Sequence, residues 1–214
     1  GTSSEYCDIK ALLENEEHQL FAIKKLDKKY PSFVAKHVLG VNPNVVSGRA
    51  DQLYVAYGSK GIAIYDMASS IAKQPSSWIT GINAINVEFV AGFLYITVKD
   101  KGIDIYDVTD ISQSKFVANV DIKQAISSTV WGVHLFVAAG NAGLVVVDIS
   151  NQQMPKIVGK VEQINAQKVS LYAHFQRSNA FAARAYVVDP LSGVHIIDLL
   201  PDFSTPKLVK TINL

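Results

Sequence analysis

Short, almost wholly apolar runs set between glycine, charged and other polar residues return at a fixed interval along this chain. Gly61-Ile-Ala-Ile-Tyr-Asp66, Gly102-Ile-Asp-Ile-Tyr-Asp107, Gly143-Leu-Val-Val-Val-Asp148 and Gly193-Val-His-Ile-Ile-Asp198 follow one pattern. Their glycines are separated by 41, 41 and 50 residues. The apolar runs upstream, Leu53-Tyr-Val-Ala-Tyr57, Leu94-Tyr-Ile-Thr-Val98 and Leu135-Phe-Val-Ala-Ala139, keep the same 41-residue step, and Ala185-Tyr-Val-Val-Asp189 continues the series. Two independent runs with one period define a repeat, and repeats of this length are single supersecondary units that bury their faces against one another.

Each repeat resolves into four short strands. In the second full repeat these are expected at about 85–91, 93–99, 102–108 and 115–122, joined by turns containing Gly92 or Lys101-Gly102. Connections this short force antiparallel neighbours. Strand periodicity sends Ile103, Ile105 and Asp107 to one face, and Asp104 and Tyr106 to the other. Four-stranded sheets repeated every 40 to 45 residues are the signature of a β-propeller. The expected fold is all-β, one domain over 1–214, with regular blades at 44–80, 85–122, 126–162 and 167–214. Stepping back from Gly61 reaches Leu20-Phe-Ala-Ile-Lys-Lys25, which keeps the apolar pattern but has neither glycine nor aspartate. A degenerate first blade over about 1–40, and five blades in all, are therefore expected. Residues 5–17 carry both a helical and a strand pattern and stay ambiguous.

The third repeat, Gly143-Leu-Val-Val-Val-Asp148-Ile-Ser-Asn followed by Met154-Pro-Lys-Ile-Val-Gly159, resembles the LVIVD repeat family. Pro206-Lys-Leu-Val209 repeats the second half of that motif, and Tyr30-Pro-Ser-Phe-Val34 echoes it. The first repeat departs with Lys25 in place of the aspartate, and the second with Ser114 in place of the proline. The resemblance implies a β-propeller of bacterial or archaeal type, often secreted or displayed on the cell surface, with no catalytic residues to carry over.

Composition narrows the function classes. Twenty basic and nineteen acidic residues are interspersed, so no basic footprint for nucleic acid or anionic membrane is present. No apolar run is long enough to span a bilayer. The single Cys7 forms no intrachain disulfide. The start Gly1-Thr2-Ser3-Ser4 is neither a signal peptide nor an initiator context, as expected of a trimmed chain. No cofactor or metal site is expected: His18, His37, His134, His174 and His195 fall at unrelated repeat positions, and no phosphate-cradling glycine loop occurs.

Asp66, Asp107, Asp148 and Asp198 each end a third strand, where short acidic side chains accept turn N–H groups. Their repetition assigns them to the scaffold, as it does Gly61, Gly102, Gly143 and Gly193, whose turns call for positive φ. Differences between repeats are more informative. The first strands place Ser47, Glu88, Thr129 and Ser170 at one position and Arg49, Val90, Trp131 and Tyr172 two residues later, on the same side. The opposite side is almost wholly apolar. A polar, variable side suits either a channel or rim-facing site or a wet interface between blades. The last repeat carries nine extra residues within 173–183, either an extended hairpin or a binding loop. Phe175, Arg177 and Phe181 in that insertion are of the types enriched at interface centres.

The favoured reading is a non-enzymatic interaction module of an exported, periplasmic or cell-surface protein, which binds a protein or glycan partner through Arg49, Glu88, Trp131, Tyr172, Phe175, Arg177 and Phe181. One alternative is a carbohydrate-active hydrolase with Glu88 at a channel mouth, which needs a second carboxylate. Another is a structural spacer within a larger surface protein.

Overall fold

The computed structural model describes residues 19–22, 35–38, 44–49, 51–66, 74–175 and 181–213. Strand β1 (Gln19–Ala22) pairs antiparallel with β2 (Ala35–Val38). Four sheets follow, each a meander of four antiparallel strands in chain order. Blade one holds β3 (Val45–Arg49), β4 (Gln52–Ala56), β5 (Ile62–Asp66) and β6 (Ser77–Ile79). Blade two holds β7 (Ala84–Val90), β8 (Phe93–Val98), β9 (Gly102–Asp107) and β10 (Lys115–Asp121). Blade three holds β11 (Ser127–Trp131), β12 (His134–Ala138), β13 (Leu144–Asp148) and β14 (Lys156–Val161). Blade four holds β15 (Lys168–Phe175), β16 (Phe181–Asp189), β17 (Gly193–Asp198) and β18 (Lys207–Ile212). The strands of blade two lie within a residue or two of their expected bounds.

Four four-stranded blades are described, not five. The β1–β2 pair falls about 41 residues ahead of β5 and β6, at the third- and fourth-strand positions of an earlier repeat. Residues 5–17 lie outside the described residues. The nine-residue insertion extends the first hairpin of blade four: the β15–β16 register continues through Ala173↔Ala183 and His174↔Ala182 to Phe175↔Phe181.

The core lies between blades, in layers built by the alternation of each strand. At each of the three junctions between successive blades, one face of the earlier blade, here called forward, meets the rear face of the following one. Tyr54, Ile62 and Ile64 of blade one pack on Leu94 and Ile96 of blade two. Tyr95, Ile103 and Ile105 pack on Leu135 and Val137 of blade three. Phe136, Leu144 and Val146 pack on Ala185 and Val187 of blade four. These side chains are almost fully buried, and such burial is the dominant favourable term in folding.

The recurring glycines have a sharper cause than turn conformation alone. Gly102 has φ +120°, and a Cβ built there would stand 2.1 Å from the Val120 carbonyl oxygen on β10. Gly61, Gly143 and Gly193 meet the carbonyls of Ile79, Val161 and Ile212 at 2.0–2.1 Å in the same way. The fourth strand of each blade thus crosses where the third begins, and only glycine allows that approach.

Two of the repeated aspartates bind their turns: Asp107 accepts the Thr109 amide at 2.9 Å and Asp148 the Ser150 amide at 2.7 Å. Those bonds hold both carboxyls below the usual carboxylate range. Asp198 instead pairs with Arg184 Nε at 2.8 Å across the neighbouring strand.

Candidate functional site

The first strands β3, β7, β11 and β15 follow one another from blade to blade, and their forward-pointing polar residues reach into the junctions. Ser47 Oγ accepts the amide of Phe89 at 2.9 Å, joining blade one to blade two. Glu88, one repeat later, accepts the amide of Val130 at 3.0 Å and the hydroxyl of Thr129 at 3.3 Å. Burial pushes the Glu88 carboxyl up, while the Val130 amide and Thr129 hydroxyl pull it part of the way back. The polar side of the first strand therefore serves the blade junctions at Ser47 and Glu88.

The third junction differs. The Thr129 hydroxyl is turned back toward Glu88, and among the described residues no side chain of blade three accepts the amide of Leu171, which holds the place of Phe89 and Val130. An open cavity of about 370 Å³ lies there, lined by Thr129, Trp131, Ser170, Leu171 and Ala173 among others. Trp131 stands edge-on to Phe203 at 5.9 Å, and Phe203 stacks on His134 at 4.8 Å, so the indole is fixed by a ring cluster from the β17–β18 connection. An indole face beside a main-chain N–H and hydroxyl oxygens offers apolar contact and hydrogen bonding together.

The structure thus brings Glu88 and Trp131 to neighbouring positions around Thr129 and Val130. Tyr172 lies one junction further on, 55% exposed on the forward face of blade four. Arg49 pairs with Gln52 at the end of the β3–β4 hairpin. Phe175 and Phe181 form the last pair of the β15–β16 ladder, and Arg177 lies outside the described residues. Sequence reasoning missed Phe203, Ser170 as a cavity wall, and the Leu171 amide; main-chain donors have no sequence signature, and Phe203 lies in a connection outside the repeat alignment.

A second open cavity, about 640 Å³, lies at the other end of the first strands, where Lys99, Asp100, Lys123, Gln124, Asn141 and Gln167 meet. Its origin is also a missing link. Gly58 exchanges two hydrogen bonds with Ala84 at 2.9 Å, and Gly140 does so with Ala166 at 2.8 and 2.9 Å. Between blades two and three the corresponding residue is Lys99, whose amide bonds the Asn83 carbonyl at 2.9 Å.

Blade four buries a polar cluster behind these walls. His195 lies with one ring nitrogen 2.9 Å from Thr211 Oγ1 and the other 3.1 Å from Asp189 Oδ2. Asp189 also accepts the amides of Asn165 at 2.9 Å and Leu191 at 2.8 Å. Burial alone would raise its pKa, but the hydrogen bonds win and hold it well below the ordinary value. Ser192 Oγ meets the same His195 nitrogen as Asp189. A Ser-His-Asp relay needs them on opposite nitrogens, so this group is a tie between blade four and the Asn165 connection.

Stacked four-stranded meanders with faces buried blade against blade place the chain in the propeller class of all-β proteins. It carries LVIVD repeats: the family model matches residues 83–122 and 124–163, which are blades two and three. No curated protein matches the sequence. Among solved structures, the computationally designed Ika8 protein is similar at a TM-score of 0.58 and 10% identity, over 93% of this chain and 63% of that one. The WD40 domain of coronin from Toxoplasma gondii is similar at 0.53 and 13%, over 92% and 69%. The chain thus spans less than two thirds of the first of these. At such identities the likeness is one of fold. No helix among the described residues is long and apolar enough to cross a membrane.

Proposed function

We propose that this chain is a non-enzymatic binding module of an exported or cell-surface protein, and that it holds a protein or glycan partner at the cleft between blades three and four. The observation that carries this reading is the gap at the Trp131 end of the third junction, beside the Leu171 amide. Ser47 and Glu88 each bond across to the next first strand at the first two junctions, while the same position of the third leaves a cavity flanked by Trp131. The β15–β16 hairpin extends to the Phe175 and Phe181 pair from β15, one wall of that cleft, and Tyr172 stands on the same strand. In this reading the β1–β2 pair belongs to a degenerate first blade, bringing the blades to five.

Hydrolysis has less support. A glycosidase needs two carboxyl groups about 5–10 Å apart, and the groups bonded to Glu88 are an amide and a hydroxyl.

The chain has two tryptophans, so Trp78→Phe leaves Trp131 as sole reporter. Titrating that variant with cell-wall oligosaccharides and with peptides from surface proteins should give a saturable shift in Trp131 emission with one of the two sets. Trp131→Ala should lower the affinity at least tenfold without altering the far-ultraviolet circular dichroism. No shift with either set at millimolar concentration counts against the cleft.

A further inference from the structure

The connection between blades two and three departs from its two counterparts on both of its sides. At the other two junctions a glycine in the left-handed conformation, Gly58 (φ 58°) or Gly140 (φ 52°), bridges to Ala84 or Ala166 of the next blade. One repeat after Gly58 stands Lys99, and the left-handed conformation has moved on to Asp100 (φ 59°). Glycine enters that conformation freely and aspartate tolerates it, whereas lysine disfavours it. Among the described residues no bridge joins Lys99 to Ala125, which holds the place of Ala84 and Ala166.

The facing side has shifted in the same way. Ile82 and Ile164 pack into the cores of their junctions. The residue between them in the repeat is Lys123, and the apolar plug is Ile122, one place earlier and 6% exposed. Two lysines therefore stand where the other junctions have a glycine bridge and a packed isoleucine, and both line the open cavity of about 640 Å³.

Among the described residues neither Lys99 nor Lys123 is ion-paired. Asp100 is the single carboxylate of the lining, so the cavity carries a net positive charge. In the connection to blade four, Gln167 Nε2 donates to Asn165 Oδ1 at 2.9 Å. That bond orients the carboxamide pair and leaves Asn165 Nδ2 to donate and Gln167 Oε1 to accept. Gln124 and Asn141 add two more carboxamides, and Ile85, Ala125 and Ile126 supply the apolar part of the lining.

We propose that this cavity binds an acidic sugar, a pyranose carrying a carboxylate such as a uronic acid. Lys99 and Lys123 hold the carboxylate, and Asp100 and the carboxamides hold the ring hydroxyls. The site lies at the opposite end of the first strands from the Trp131 cleft and does not depend on that reading. Its volume is within the roughly 300–1,000 Å³ of small-ligand sites. The acceptors in the lining select the class. Phosphate or sulfate brings acceptors, which Asp100 and Gln167 Oε1 would meet with no donor between them. A sugar acid brings one charge for the two lysines and several hydroxyl donors for those oxygens. An acidic peptide brings the charge without a cluster of hydroxyls on one ring.

Isothermal titration of the full chain with trigalacturonic acid tests the proposal, set against neutral galactotriose, inorganic phosphate and a tetraglutamate peptide. Trigalacturonate should bind saturably and galactotriose should not. Lys99→Gln and Lys123→Gln should each weaken binding about tenfold, the worth of one charge-assisted hydrogen bond, and added salt should weaken it further. Lys99→Gly with Asp100→Asn copies Gly140-Asn141 of the next blade and should abolish binding with the circular dichroism of the parent retained. The single lysine variants change exposed residues and decide the matter even if that double variant does not fold. Trp131→Ala should leave the titration unchanged; loss of binding there puts the sugar in the other cleft and overturns the proposal. Phosphate or tetraglutamate binding as tightly as trigalacturonate overturns it too, as does full affinity in both lysine variants or no binding of trigalacturonate at millimolar concentration.

Discussion

Glu88 accepts the amide of Val130 at 3.0 Å in the repeat position where Ser47 accepts the amide of Phe89. A carboxylate thus does between blades two and three what a hydroxyl does between blades one and two. The cost is desolvation of a charge, seen in the raised pKa of Glu88. An acid whose pKa is higher folded than unfolded binds its proton more tightly in the native state, so its contribution to stability falls as pH rises above about 4.3, the unfolded value. Glu88→Gln keeps an acceptor for Val130 and removes the charge. Its melting temperature should equal that of the parent at pH 3.5 and exceed it at pH 8, with each gain of about 2–4 °C corresponding to 1 kcal/mol. Calorimetry at the two pH values checks this.

Gly102 and Gly132 both have positive φ, yet the space around them differs. A Cβ at Gly102 meets the Val120 carbonyl oxygen at 2.1 Å, and one at Gly132 meets nothing within 4 Å. Gly132→Ala should cost about 1 kcal/mol, from conformation alone. Gly102→Ala must also push β10 away from β9 and should cost more than about 3 kcal/mol. Urea unfolding of the two variants gives the comparison directly.

Asp104 is fully buried on the rear face of β9, where it meets Lys101 Nζ at 2.6 Å and Asn119 Nδ2 at 2.8 Å. The same repeat position holds Ala63 in blade one and Val145 in blade three. Lys101→Met strands a buried charge and should destabilise by about 3 kcal/mol. Adding Asp104→Val, which copies blade three, should recover most of that loss, because Asn119 keeps its bond to the Ile103 carbonyl. A double-mutant cycle in which the second change deepens the loss would contradict this account.

Asp189 is held below its ordinary pKa by the amides of Asn165 and Leu191 and by Ser192 and His195, against the effect of burial. A depressed acid contributes stability that is complete above its unfolded value of about 3.9 and is lost as pH falls toward the folded one. Asp189→Asn should therefore lower the melting temperature at pH 7 and flatten the fall in stability below pH 4. An acid-unfolding curve parallel to that of the parent would refute the assignment.

The four strands of blade two and the scaffold role of the glycines were legible because both follow from local rules: alternation fixes strands, and repetition marks what every blade needs. The carbonyl approach behind the glycines was not, since the atom that excludes a side chain at Gly102 belongs to Val120. The candidate positions were legible as places where repeats differ. Their purpose was not: Glu88 and Thr129 share a repeat position, yet one bonds forward to Val130 and the other turns back to Glu88. The five-blade expectation rested on a period that continues through Leu20, whereas pairing at β1–β2 depends on contacts that a period does not encode.

By itself, then, the sequence determined the repeat, the all-β class, the meander within each blade and the residues that could differ without breaking it. Those properties depend on side-chain periodicity and turn length, which are local. Only the tertiary structure decided which junctions are sealed, where cavities remain and which forward face is left uncovered, because each depends on what a neighbouring blade places opposite. Equivalent positions are core at Ala138 and Val161 and surface at Val188 and Ile212, and the first pair lies under the next described sheet.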